Sequence, residues 1–178
     1  MKIVFVTVGT TKFEHLIETI LSDNILDILK EQNFNKIILQ IGNGNHQDQN
    51  LQNISREKNA AVTFKKKNLE IEAYRYKNTL KDDLNKADLV ISHAGSGSII
   101  ESLEANKKLV VVCNQDLMDN HQFELAEKMA KLDYLLYTTC SSLHSTLGLL
   151  KNPHLKFKRY QPGNPRLFGN HLNKICLQ

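Results

Sequence analysis

No apolar run in this chain approaches the length of a membrane span or of a secretory signal core. The stretch Ile3-Val4-Phe5-Val6 meets Gly9 within a few residues, so the sequence predicts a soluble chain whose contact with any membrane comes through a partner or a surface patch. Cysteine is scarce: Cys113, Cys140 and Cys176 are odd in number and widely spaced, without a CxxC pair or an adjoining histidine cluster of zinc-ligand spacing. That pattern argues against a disulfide framework and points to reduced, cytosolic thiols. Basic runs are nearly absent. Beyond Lys65-Lys66-Lys67 there is none, and a net charge of +4 over 178 residues leaves no nucleic-acid footprint. The lysine triplet is read as a solvated stretch of a polar connection. Neither GxGxxG nor GxxxxGK[ST] occurs, which weighs against hydride transfer and ATP hydrolysis. No internal repeat or linker divides the chain. Its 41% hydrophobic residues suffice for one sizeable core, so 1–178 is expected to form a single domain, with a core over 1–150 and a tail and terminal helix over 151–178.

What is present is an alternation of β-branched runs and amphipathic stretches. Residues 2–8 read as a buried strand ending at Gly9. A helix follows, with Phe13, Leu16, Ile17, Ile20 and Leu21 at helical spacing, and the pattern resumes at Ile25 after a break at Ser22-Asp23-Asn24. Strands are predicted at 36–41, 61–64, 71–76, 89–92, 108–112 and 134–137, and helices at 79–87, 98–105, 120–132, 142–150 and 166–177. Residues 42–53 are almost wholly polar and are expected to form an exposed, mobile loop. Strands alternating with helices need crossover connections. The fold class is therefore α/β, a single Rossmann-like domain with a mainly parallel sheet and helices on both faces. Ligands in such sheets bind beyond the carboxyl ends of the strands.

The segment 88–101 carries the most chemical information. A buried strand delivers the chain to His93-Ala94-Gly95-Ser96-Gly97-Ser98, which opens a helix. Gly95 and Gly97 permit close approach of a ligand to the backbone, and the first free N–H groups of the helix, at its positive dipole end, suit a pyrophosphate. Glu101 lies about one turn further on, within reach of the vicinal hydroxyls of a ribose. On its own this segment equally fits a turn whose glycines serve only the backbone, with Glu101 solvated. Gly9, Thr10 and Thr11 follow another strand and could complete the anion site from a neighbouring position, or form a plain strand-to-helix turn. Asn120, His121 and Gln122, in the polar stretch after 108–112, bring amides and an imidazole suited to sugar hydroxyls and an acetamido group; Asp119 beside them also fits a helix N-cap. His93 could donate a proton or place a cation beside a leaving diphosphate, or merely hydrogen-bond the loop. His46, His144, His154 and His171 have no arranged partners and are read as surface residues.

The segments VTVGTTKF (6–13), DLVISHAGSGSIIESL (88–103), LMDNHQFELAEK (117–128) and NPRLFGNHLNKI (164–175) resemble the C-terminal, nucleotide-binding half of glycosyltransferase family 28, in the form of the cytosolic catalytic subunits of dolichol-pathway N-acetylglucosaminyltransferases. The resemblance implies one half of a GT-B fold and an inverting, metal-independent transfer of N-acetylglucosamine from UDP-GlcNAc to dolichyl-diphosphate-GlcNAc. The absence of a DxD motif agrees with that; no cofactor is implied, UDP-GlcNAc being the donor substrate. Carried over by position, Gly95, Ser96, Gly97 and Ser98 bind the diphosphate and Glu101 the ribose. Asn120, His121 and Gln122 contact the sugar, Gly9, Thr10 and Thr11 face the donor, and Tyr76 and Lys77 lie near the uracil. The family's two-domain members carry an acceptor-binding half that is not seen here. The resemblance therefore implies a heterodimer with a membrane-anchored acceptor-binding subunit, which would recruit this cytoplasmic chain to the cytosolic face of the endoplasmic reticulum and bring the lipid-linked diphosphate sugar. The general base is not identified in this sequence. Two other readings stay open, a bacterial-type split UDP-hexose transferase subunit for exopolysaccharide and a non-catalytic interaction module.

Overall fold

The structure, a computed structural model, describes residues 1–114 and 121–161, and of 121–123 the backbone alone. The predicted terminal helix at 166–177 and residue Asn120 lie outside the described residues. Seven strands form one sheet: β1 (Ile3–Thr7), β2 (Lys36–Gln40), β3 (Ala61–Lys66), β4 (Leu69–Tyr74), β5 (Leu89–His93), β6 (Lys108–Cys113) and β7 (Leu136–Thr139). Their order is β3-β4-β2-β1-β5-β6-β7. Every neighbouring pair is parallel except β3 and β4, an antiparallel hairpin. The helices are α1 (Glu14–Ile20), α2 (Asp23–Glu31), a single turn α3 (Gln49–Gln52), α4 (Lys81–Lys86), α5 (Ser96–Glu104), α6 (His121–Lys131) and α7 (Leu143–Leu149).

Both faces of the sheet are covered, which is why its central strands are continuous apolar runs rather than alternating ones. Val4, Val6, Ile37, Leu39 and Ile91 pack with Leu16, Ile17, Leu26, Leu29 and Leu147 from α1, α2 and α7. On the other face Ile3, Phe5, Val90 and Val111 pack with Leu84, Ile99, Leu103 and Ala126 from α4, α5 and α6. Three helices end without glycine. Asn33, Asn106 and Asp133 take positive φ, and the amide after each bonds back to the last turn, Phe34 to Leu29, Lys107 to Ser102 and Tyr134 to Met129. Asn and Asp tolerate that conformation at helix ends.

The order of strands reverses beside β1: the chain runs outward through β2 and β4, then returns to place β5 on β1's other side. The carboxyl ends of β1 and β5 therefore flank the crevice in which doubly wound sheets bind their ligands.

Three expectations need correction. The polar stretch 42–53 is not a free loop: Gly42, Gly44, His46 and Leu51 are buried, and α3 forms within it. The buried guanidinium of Arg75, at the end of β4, donates to the carbonyls of Gly42 at 3.2 Å, Gly44 at 2.8 Å and Ile54 at 3.1 Å. Backbone that would otherwise need water is thus satisfied inside the protein. His46, read as a surface residue, is 7% exposed because this loop folds over it. The lysine triplet belongs to the hairpin: Lys65 and Lys66 lie on β3, and Lys67 forms the turn, its ammonium 2.7 Å from Asp27. Smaller shifts concern boundaries. α5 begins at Ser96 with Gly95 as its N-cap, earlier than expected, and β7 begins at Leu136 rather than 134.

Candidate functional site

Two turns meet at the crevice. After β1, Val8-Gly9-Thr10-Thr11 closes through the Thr11 amide and hydroxyl, which donate to the Val8 carbonyl at 3.3 and 2.7 Å. Gly9 has φ +62°, a conformation that excludes most side chains. After β5, His93-Ala94-Gly95 leads into α5. The first helical bond runs from the Ile99 amide to the Gly95 carbonyl at 3.0 Å. The amides of Ser96, Gly97 and Ser98 have no partner among the described residues. Among the described residues the turn is thus uncovered, with Ser96 and Gly97 exposed at its tip, and its donors at the positive end of a helix have no partner there.

Between the turns lies the His93 ring. A β-carbon on Gly9 would stand 2.7 Å from Cε1 of His93, and one on Gly95 would overlap Nε2. The two glycines are small because the imidazole fills the space beside each. His93 is 9% exposed, and its Nδ1 is buried without a hydrogen-bond partner among the described residues. Burial pushes the imidazole below the ordinary histidine range, and the backbone of Thr7 draws it back only in part. Burial thus favours the neutral ring.

Gly9, Thr10, Thr11, His93, Gly95, Ser96, Gly97, Ser98 and Glu101 all line one cleft of about 690 Å³. The carboxylate of Glu101 is exposed and pairs with no cation among the described residues. A second cleft of about 620 Å³ adjoins the first and shares Leu80 and Glu101 with it. Lys77 stands on its rim, while Tyr76 is half-buried and lines neither. The Lys77 ammonium is already engaged, 2.8 Å from Asp83, 3.2 Å from Glu72 and 4.0 Å above the Tyr74 ring. The Tyr74 hydroxyl donates to the same Asp83 oxygen at 2.7 Å, and burial raises its pKa well above the tyrosine range. Of the sugar-contact candidates, His121 and Gln122 open α6 with undescribed side chains, and Asn120 lies outside the described residues.

Besides Ala94, which lies within the glycine turn itself, sequence reasoning missed two lining residues, Leu80 and Leu125. Both sit in apolar helical stripes and also pack against the core, so periodicity alone marks them as core. Their exposed edges give the cleft apolar walls at the places where α4 and α6 approach α5.

Fold and site together define a Rossmann-like α/β domain with an open crevice at its topological switch point, the architecture of one half of a GT-B glycosyltransferase. Residues 3–166 match the glycosyltransferase family 28 C-terminal domain, and the chain belongs to that family. Among similar proteins is the UDP-N-acetylglucosamine transferase subunit ALG13 of Mus musculus, 44% identical over 143 residues, which cover 80% of this chain and 11% of that protein. The chain thus spans about a tenth of the mouse relative's length. The subunit of the same name from Candida albicans is 34% identical over 205 residues, covering 98% of this chain and 66% of its own. An NMR solution structure of ALG13 superimposes with a TM-score of 0.67 at 28% identity, covering 96% of this chain and 94% of that one. The MurG crystal structure from Acinetobacter baumannii, with a TM-score of 0.57 and 20% identity over 85% of this chain and 42% of that one, shares the fold.

Proposed function

We propose that this chain is the donor-binding catalytic subunit of a split N-acetylglucosaminyltransferase. In this reading it moves GlcNAc from UDP-GlcNAc to dolichyl-diphosphate-GlcNAc in N-glycan precursor synthesis, and it acts with a membrane-anchored subunit that binds the acceptor at the cytosolic face of the endoplasmic reticulum. The observation that carries the reading is the open N-terminus of α5, set at the switch point between two glycine turns with Glu101 one turn along. The name shared by the relatives, a UDP-N-acetylglucosamine transferase subunit, supports donor and partner.

In this mechanism the amides of Ser96, Gly97 and Ser98 bind the diphosphate of UDP-GlcNAc, and Glu101 accepts hydrogen bonds from the ribose hydroxyls. Thr10, exposed on the facing turn, closes the phosphate site from the other side. Asn120, His121 and Gln122 contact the sugar, and the rim from Lys77 to Leu80 faces the base. As the bond to UDP stretches, the fixed N–H dipoles stabilise the charge that develops on the leaving phosphate; such preorganised donors supply a large share of many enzymes' acceleration. His93 is neutral in the free protein, but negative phosphates beside it would raise its pKa. Its positive charge therefore arrives with the donor, where it also favours departure of UDP. The partner contributes the base that deprotonates the acceptor hydroxyl. No metal or cofactor takes part.

Titration of UDP-GlcNAc into wild-type and Glu101→Ala chains, alone and co-purified with the partner, tests this directly. Loss of hydrogen bonds to a charged acceptor predicts affinity weakened by about 10- to 100-fold. Equal affinity, or no binding by the wild type in either form, would overturn the reading. A parallel screen of UDP-hexoses should single out UDP-GlcNAc.

A further inference from the structure

Gln40 is a fully engaged polar side chain in the middle of the sheet, and the mechanism above makes no use of it. It ends β2, between β1 and β4, opposite Thr7 on one side and Tyr74 on the other. It is 2% exposed. A carboxamide placed there is costly unless its donors and acceptor are met, and they are. Nε2 donates to the carbonyls of Gly9 at 2.6 Å and Arg75 at 2.8 Å, and Oε1 accepts from the Thr7 hydroxyl at 2.5 Å. That hydroxyl accepts in turn from the Gly9 amide at 3.1 Å.

Gly9 is therefore gripped at both ends of its residue, at the amide by Thr7 and at the carbonyl by Gln40. The last ladder bonds nearby run from the Val8 amide to the Gln40 carbonyl and from the Ile41 amide to the Tyr74 carbonyl. Beyond them the strands end, and the side chain of Gln40 spans the exits of β1 and β4 in place of the ladder. The part of the turn it holds is the part that touches the His93 ring, whose far side meets Gly95 at the start of α5. An apolar side chain of similar volume would fill the core equally well but would leave the Gly9 and Arg75 carbonyls unpaired and the turn free to rotate.

We propose that Gln40 is a positioning residue for the donor site: through Gly9 it sets the height of the His93 ring against the diphosphate-binding turn. This rests on the donor-site reading above. Gln40→Leu removes the three side-chain hydrogen bonds. Gln40→Glu keeps the acceptor for Thr7 but turns an oxygen toward the two carbonyls, and only its protonated form can donate to one of them. Thr146→Val removes a distant buried hydroxyl that bonds Thr138 at 2.9 Å and serves as a control for loss of stability.

The experiment is UDP-GlcNAc titration of the full chain with its partner, read beside thermal unfolding and the ring-proton NMR signal of His93 without nucleotide. Gln40→Leu should weaken UDP-GlcNAc binding by about tenfold or more, in line with the cost of ångström-scale misplacement, and shift the His93 signal. In Gln40→Glu the affinity should recover as the pH falls, by more than the modest rise that proton uptake by His93 gives the wild type. Thr146→Val should unfold at lower temperature yet bind UDP-GlcNAc and keep the His93 signal unchanged. Folded Gln40 variants with wild-type affinity and an unmoved His93 signal would overturn the proposal. Failure of both Gln40 variants to fold would also overturn it, by making the residue one of stability alone. A wild type that binds no UDP-GlcNAc sinks the donor reading, whereas the His93 signal still reports on the Gln40 contact.

Discussion

The Nε2 atom of His93 stands too close to Gly95 for a β-carbon to fit between them. Gly95 itself has φ −73° and ψ 127°, angles any residue adopts, so the neighbouring ring and not the backbone demands glycine. Gly95→Ala is accordingly expected to cost about 1–3 kcal/mol, the usual range for overpacking. Most of that cost should vanish in a His93→Ala background, where the ring is gone. A double-mutant cycle in denaturant unfolding measures the coupling; strictly additive costs would mean that the ring is not what excludes the methyl group.

Gly97 presents the opposite case. A β-carbon there meets nothing within 4 Å, and its φ is not positive. Gly97→Ala should leave stability unchanged or raise it by roughly 0.5 kcal/mol, because the unfolded chain loses freedom. UDP-GlcNAc affinity should nevertheless fall, since no described residue stands near the new methyl whereas a diphosphate on this turn would meet it. Calorimetric titration beside a melting curve separates the two effects.

Two buried histidines are expected to weaken the fold on acidification. Burial holds both His46 and His93 below the ordinary histidine range, about 6.5. For His46 the backbone of Ile41 and the carboxylates of Glu14 and Glu18 pull upward, while Arg75 pushes further down. The unfolded chain therefore binds more protons than the folded one as pH falls toward and below 6.5. Stability that is complete above that pH is lost on acidification, by up to about 1.4 kcal/mol per pH unit for each group. Neither ring nitrogen of His46 makes a well-formed hydrogen bond among the described residues. His46→Leu should thus be as stable as the wild type or more so at pH 7, with a shallower acid limb in unfolding measured from pH 7 to 5.

Arg75 ties the 42–54 segment to the end of β4 through three carbonyls. Arg75→Leu should destabilise the fold by about 3 kcal/mol, since buried carbonyls would lose charged donors. Amide hydrogen exchange should quicken first across residues 42–54, before the central strands lose protection.

Much of this molecule follows from local pattern. The apolar runs of β1, β5 and β6, each followed by an amphipathic stretch, specify crossover units and hence a parallel sheet. The glycine turns after β1 and β5 are legible because a backbone that must approach a ligand or a ring tolerates no larger residue. Nine of the named site residues line one cleft for that reason. Where the reading failed, the missing information was a distant donor. Residues 42–53 are polar in composition, yet Arg75, some thirty positions later, satisfies their carbonyls and lets the loop bury His46 and Leu51.

Among the described residues, the sequence alone determined most of the strands and helices, α3 excepted, and where glycine turns follow β1 and β5, because those depend on neighbours a few residues apart. Only the tertiary structure decided that Gly9, His93 and Gly95 form one stack, and that Gln40 grips the first of them. Strand order and register bring these groups together across the sheet, and neither can be read from the spacing of residues along a chain.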